Sequence, residues 1–232
     1  RKWTEETTLM SLENCKLTYF DLTGGRAESI RLALTIGEIK FEDNRIQFPQ
    51  WPETKPSTPW GSLPVLELSD GSVIAQQRAI LRFVGKQTGL YPADPLQAAR
   101  VDELFDVFED CQTKVNAAGQ GMEQAAKEAA RKEVMESGAV SQMLEKLDAY
   151  IGKHGKGGFC VGDKLSCADL MLYAMLTTMV SGLFDGVPDN SFDRFKNIQA
   201  VRKTVATNPK VSAYHDSLKD KIKPIWFVAR SL

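Results

Sequence analysis

Gly89-Leu90-Tyr91-Pro92-Ala93-Asp94-Pro95 is the stretch on which the fold of this chain turns. Two prolines and a glycine so close together break any periodic structure and mark a connector. The sequence changes texture across it. On the amino-terminal side, short strand-like runs alternate with helical ones. Lys16–Phe20 reads as a strand, and Arg26–Ile36 carries Ile30, Ala33 and Leu34 at helical spacing until Gly37 stops it. Phe41–Ile46 reads as a second strand, followed by a loop rich in Pro and Trp from Phe48 to Trp60. Val65–Leu68 and Val73–Ala75 flank Ser69-Asp70-Gly71, a tight-hairpin signal, and Gln76–Gly85 returns to helix. The order βαβ, loop, ββα describes one compact α/β unit.

Beyond the connector the pattern is helical. Val101, Leu104, Phe105, Phe108 and Cys111 share one side of a helix, with Asp102, Asp106, Glu109 and Asp110 on the other, where a solvated acidic face is the plain expectation. A long Ala/Glu/Lys-rich stretch runs from Met122 to Tyr150, and shorter helices are expected around Ile198–Ala206 and Val211–Leu218. Leu170–Met179 is apolar nearly all round, which predicts a helix buried at the centre of this half. Ser166 and Asp169 have capping-box spacing, with Leu165 and Leu170 at the staple positions. The expected organisation is an extension over residues 1–15 without ordered structure, an α/β domain over 16–88, a linker over 89–95 and an all-helical domain over 96–232. Met10-Ser11 looks like a natural start, so residues 1–9 read as a leader or remnant.

Lys and Arg total 29 against 30 Asp and Glu, so nothing in the charge calls for nucleic acid or an anionic membrane as partner. No apolar run is long enough for a membrane span. Cys15, Cys111, Cys160 and Cys167 form no CxxC or Cys/His metal pattern and read as reduced, buried thiols, which points to the cytoplasm. His154 and His215 lie among polar neighbours and are expected at the surface.

Three local signals in the α/β unit suggest chemistry. Tyr19 stands near the carboxyl end of the first strand with Arg26 opening the next helix, and ligands of open α/β sheets sit at such ends. A tyrosine there is, taken alone, more often a packed aromatic than a catalyst. Pro64 directly precedes a strand; a cis bond would turn the preceding backbone toward a ligand, and a plain turn proline fits the same spacing. Gln76 and Gln77 sit at a strand-to-helix junction, where free N–H groups attract carboxylates, though a merely polar helix start reads the same way.

Taken together, Tyr19-Phe20, Gly25-Arg26-Ala27-Glu28, the run from Gln50-Trp51 to Lys55, Leu63-Pro64-Val65-Leu66, Ala79-Ile80 and the run from Phe159 to Asp169 resemble the cytosolic glutathione S-transferase family over about residues 16–218. The likeness is to the sigma-like class with a catalytic tyrosine. It implies a thioredoxin-like α/β N-terminal domain followed by an all-α C-terminal domain that carries the electrophile pocket.

The resemblance also implies roles. Tyr19 would donate its hydroxyl to the sulfur of glutathione, with Arg26 shaping that network. Trp51 and Lys55 would reach the glycyl carboxylate; Leu63, between Ser62 and Pro64, would pair its backbone with the cysteinyl residue. Gln76 and Gln77 would take the γ-glutamyl carboxylate. Asp110 of a second subunit would meet the glutamyl amino group, making the active unit a homodimer. No cofactor is implied beyond glutathione as co-substrate, and no metal. Three positions depart from the family pattern: the loop Thr23-Gly24-Gly25-Arg26 is one residue longer than the family's, Gln77 replaces a serine and Ser62 a longer polar side chain. Each change is worth about 1 kcal/mol, the scale of one hydrogen bond.

The expected activity is conjugation of glutathione to small hydrophobic electrophiles, as in detoxification. The alternatives are a glutathione-dependent isomerase or peroxidase resembling prostaglandin D synthases, and a non-catalytic, crystallin-like binding member. No tryptophan occurs between Asp110 and Gly121, where the resemblance puts the specialised isomerase pocket.

Overall fold

The computed structural model describes residues 12–22 and 24–218. The proposed start at Met10 and residues 1–9 lie outside the described residues. Residues 12–14 form turns and Leu12 is fully buried, so this part of the expected extension is packed rather than loose.

Four strands form one sheet in the order β2-β1-β3-β4: β1 (Cys15–Phe20), β2 (Phe41–Ile46), β3 (Val65–Glu67) and β4 (Val73–Ala75). β1 runs parallel to β2 and antiparallel to β3, and β3 pairs antiparallel with β4. A parallel neighbour needs a crossover, supplied here by α1 (Glu28–Ile36), whereas the β3–β4 pair needs only the turn through Asp70 and Gly71. Asp70 accepts from the Ser72 N–H at 2.8 Å and Gly71 takes φ +84°, which a side chain would resist. Between β2 and β3 lie two short 3₁₀ turns around α2 (Trp51–Thr54), and α3 (Gln77–Thr88) follows β4.

Gly89 ends α3 in the left-handed conformation, and Asp94 caps the next helix by accepting from the Gln97 N–H at 2.9 Å. The remaining elements are all helical: α4 (Pro95–Ala117), α5 (Gln124–Glu136), α6 (Ala139–His154), α7 (Cys167–Met179), α8 (Lys196–Ala206) and α9 (Pro209–Leu218). The Ala/Glu/Lys-rich stretch is thus two helices, interrupted at Ser137-Gly138. Every residue of α7 is buried, as its all-round apolarity requires, and α7 packs against α1, α4 and α8. Its amino terminus is closed by Asp169, whose buried carboxylate accepts from the N–H groups of Cys160 and Ser166 and from the Ser166 hydroxyl. Such a cap contributes about 1–2 kcal/mol. α7 therefore spans the molecule's centre and brings its last turn, at Thr177–Met179, toward α1 and the loop before it.

Candidate functional site

β1 alternates buried and half-buried residues, so Cys15, Leu17 and Tyr19 share the inner face. Extending the strand register by one residue past Thr18, Val65 and Ala75 lines up Tyr19, Pro64 and Gln76 across the end of the sheet. Three segments far apart in sequence thus meet in one row. Tyr19 is only 8% exposed, and its hydroxyl oxygen accepts the Arg26 N–H at 3.1 Å. Gly25 packs against the ring: a Cβ there would stand 3.0 Å from both the phenol oxygen and a ring carbon, at a backbone φ of +68°. Burial raises the Tyr19 pKa above its ordinary value, opposed by the Arg26 N–H and by the charges of Arg26 and Arg31. The group is therefore a protonated donor at neutral pH.

The loop after β1 is held at successive backbone atoms. The Leu22 carbonyl accepts from the guanidinium groups of Arg31 at 3.2 Å and Arg45 at 3.0 Å. The Gly24 N–H donates to Glu28 at 3.2 Å, and the Gly25 N–H donates to Thr178 Oγ1 on α7 at 2.9 Å. Beneath the loop, Asp43 accepts from Arg31 at 3.0 Å and from Arg45 at 2.7 Å, and Arg31 also reaches Glu28. Glu28 and Arg31 are fully buried; desolvation pushes the Glu28 carboxyl up to about 7 against the pull of Arg31. This network was not anticipated from the sequence. Its signal was available in the charged residues at inward positions of α1 and in the polarity of Phe41–Ile46.

His215, expected at the surface, is buried. It faces Tyr173 of α7 and lies 3.9 Å from Glu28, because α9 folds back onto α1. His154 is half-buried beside Tyr150.

On the other side of the row, the Leu63–Pro64 bond is cis and Ser62 is half-buried. Trp51 sets its edge on Phe20, which also stacks on Phe48, while Lys55 is exposed and folds its stem over Gly61. Gln76 has a positive φ of 75°, rare for a residue with a side chain, and it presents the amino terminus of α3 at the sheet edge. Gln77 turns inward: its amide donates to Ser29 Oγ on α1 at 3.1 Å, and its buried side-chain oxygen has no hydrogen-bond partner among the described residues.

The acidic face of α4 is not solvated as a whole. Arg26 makes two hydrogen bonds to Glu109, Arg82 pairs with Asp102 at 2.6 Å, and Arg78 pairs with Asp106. The spacing of these acids put them on one side of a helix, but the arginines they meet come from the α/β half, which the α4 sequence does not reveal. Asp110 is exposed. Among the described residues, no group of three His, Cys, Asp or Glu side chains could hold a metal ion, and all four cysteines are free and buried.

Two family sequence models match this chain: the glutathione S-transferase N-terminal domain over residues 15–86 and the C-terminal domain over residues 109–218. Glutathione S-transferase 1 of Ascaris suum is 35% identical over 84% of this chain and 97% of its own length. The chain belongs to the glutathione S-transferase family. Hematopoietic prostaglandin D synthase of Gallus gallus is 32% identical over 88% of the chain and 96% of its own. Among solved structures, the prostaglandin synthase D of Nilaparvata lugens superposes with a TM-score of 0.78 at 29% identity, over 91% of this chain and all of that one. The expected architecture, a thioredoxin-like sheet-and-helix domain followed by an all-helical one, is the architecture observed. This glutathione S-transferase is an enzyme, a transferase of a family that uses glutathione as co-substrate. Among its described residues, no helix is long and apolar enough to cross a membrane.

Proposed function

We propose that this transferase is a cytoplasmic, sigma-like, tyrosine-type member that conjugates the thiolate of glutathione to small hydrophobic electrophiles in detoxification. The observation that carries this reading is the bond from the Arg26 N–H to the Tyr19 oxygen. With one lone pair so engaged, the single phenol proton is free for a ligand atom at the sheet's end. A free thiol ionising near 8.5 is only about 3% thiolate at pH 7, and lowering that value to about 6.5 takes about 2.7 kcal/mol. One hydrogen bond to a charged acceptor supplies about 1.5–3 kcal/mol, so one hydroxyl nearly suffices.

In this reading Trp51 and Lys55 hold the glycyl carboxylate, and the backbone of Leu63, set between Ser62 and Pro64, pairs with the cysteinyl residue. Gln76 and the N–H of Gln77 receive the γ-glutamyl carboxylate at the start of α3. The Gln77 side chain, bound to Ser29, braces α3 on α1 instead of touching the ligand. Asp110, exposed and on the acidic side of α4, reaches the glutamyl amino group of a second copy, which makes the active unit a homodimer. Arg26 acts through its backbone N–H and is itself held by Glu109.

Similarity to prostaglandin D synthases favours one further reading, glutathione-dependent isomerisation in the same site. Retention on immobilised glutathione, followed by assays with a generic aryl halide and with a prostaglandin endoperoxide, separates the two. Conjugation of the halide supports the proposal. Isomerisation alone replaces it with the second reading, and retention without either activity leaves a binding protein.

A further inference from the structure

We propose that Thr178, on the last turn of the buried helix α7, is a positioning residue for the Tyr19 hydroxyl. The inference rests on the reading of Tyr19 given above and adds to it a residue of the other domain. Thr178 is 153 positions from Gly25 in sequence, yet its Oγ1 accepts the Gly25 N–H at 2.9 Å. Its own hydroxyl proton is committed to the Ala174 carbonyl at 2.6 Å, so the oxygen can present only a lone pair to the loop. Gly25 rests against the Tyr19 ring, and the next residue, Arg26, donates its N–H to the Tyr19 oxygen. A directed chain results. The Thr178 hydroxyl donates to Ala174, Gly25 donates to Thr178, Arg26 donates to Tyr19, and the one proton left over is the phenol's.

The physical need is clear from the loop itself. Gly24 and Gly25 both have positive φ, a conformation whose backbone freedom is costly to fix. Without an acceptor at Thr178 the Gly25 N–H loses its partner, and the peptide that carries the Arg26 N–H is free to rotate away from the phenol. The hydroxyl then divides its proton between the ligand and the loop. The charges facing the phenol, Arg26 and Arg31, stay in place when Thr178 is changed, so a change in thiol ionisation reports orientation rather than charge.

The experiment follows the pH at which bound glutathione becomes a thiolate, by ultraviolet absorbance, in wild type, Thr178→Val, Thr178→Ser and Tyr19→Phe. Thr178→Val is nearly isosteric but offers no acceptor; Thr178→Ala serves the same purpose if the valine variant does not accumulate. The expected result is a midpoint raised by about 0.5–1 unit in Thr178→Val, equivalent to about three- to tenfold less thiolate at low pH, the scale of one hydrogen bond. The Michaelis constant for glutathione is expected to rise no more than about two- to threefold at neutral pH, the amount linked to the raised midpoint, since no ligand contact is removed. Thr178→Ser restores the wild-type midpoint. A merely structural role lowers the melting temperature without moving the midpoint, and that outcome overturns the inference. If Thr178→Val is silent while Tyr19→Phe raises the midpoint, the Thr178 inference fails and the tyrosine reading stands. If Tyr19→Phe itself leaves the midpoint unmoved, the tyrosine reading fails and takes the inference with it.

Discussion

Glu109 on α4 accepts two hydrogen bonds from the Arg26 guanidinium, at 2.6 and 2.7 Å, so the residue whose N–H meets Tyr19 is anchored in the other domain. This paired geometry holds the Glu109 carboxyl below its usual range and raises Arg26. A double-mutant cycle on Arg26→Ala and Glu109→Ala, read by denaturant unfolding at neutral pH, is expected to give a coupling of about 1–2 kcal/mol, above the level of an exposed pair. Because the folded carboxyl titrates lower than the unfolded one, the coupling is full above the ordinary glutamate value and is lost as pH falls through the lower folded one. A cycle near zero at neutral pH would remove the pair from the domain contact.

Gln77 separates backbone from side chain at one position. Its amide joins Ser29 in the interior, so Gln77→Ala is expected to lower stability by about 1–2 kcal/mol through the unpaired Ser29 and the space left behind. The glutathione Michaelis constant is expected to change by less than about threefold, because the N–H is kept. A tenfold rise with unchanged stability would mean that the side chain turns to the ligand.

Glu28 gives a pH signature of the buried network. Its folded carboxyl is pushed up to about 7 from 4.5, so between those values the folded state holds a proton that the unfolded chain has released. Stability contributed by this group is full below the unfolded value and declines as pH rises through the folded one. Denaturant titrations of wild type and Glu28→Gln at pH 5 and pH 8 are expected to differ accordingly, the variant gaining about 2–3 kcal/mol relative to wild type at the higher pH. Among the described residues, the titratable and charged groups facing Glu28 are Arg31, Asp43, Arg45 and, from α9, Tyr214 and His215. Parallel curves would place the titration elsewhere.

Asp110 tests the shared site. Asp110→Ala is expected to raise the glutathione Michaelis constant about tenfold, as loss of a charge-assisted bond does, with a smaller change in turnover at saturation. Sedimentation is expected to give a particle of twice the 25.8 kDa chain. An active monomer in which Asp110→Ala matches wild type would refute the two-subunit site.

Much of this was legible in the sequence for identifiable reasons. Strand periodicity located β1 and the β3–β4 hairpin, the Gly89–Pro95 connector separated the α/β half from the helical half, and Ser166 with Asp169 announced the start of α7. These are local signals, and local signals survive in one dimension. The contacts that shape the site are not local. Thr178 looked like one more residue of a buried helix, and only the fold shows it meeting Gly25. Likewise, α4 read alone gave an acidic stripe, whereas Arg78 and Arg82 on α3 answer Asp106 and Asp102. His215 lay among polar neighbours in sequence, yet α9 packs it against Tyr173.

In the proposed mechanism the Tyr19 hydroxyl stabilises the thiolate of bound glutathione. The most direct measurement is the absorbance titration of that thiolate in wild type and Tyr19→Phe, a change that removes one oxygen from a buried ring. Wild type is expected to ionise about two units below free glutathione, and Tyr19→Phe about one to two units higher than wild type, as loss of one charged hydrogen bond requires. The deficit in turnover should then shrink toward pH 9, where the thiol ionises unaided. Coincident titration curves for the two proteins, with an equal deficit in turnover at every pH, would contradict the account.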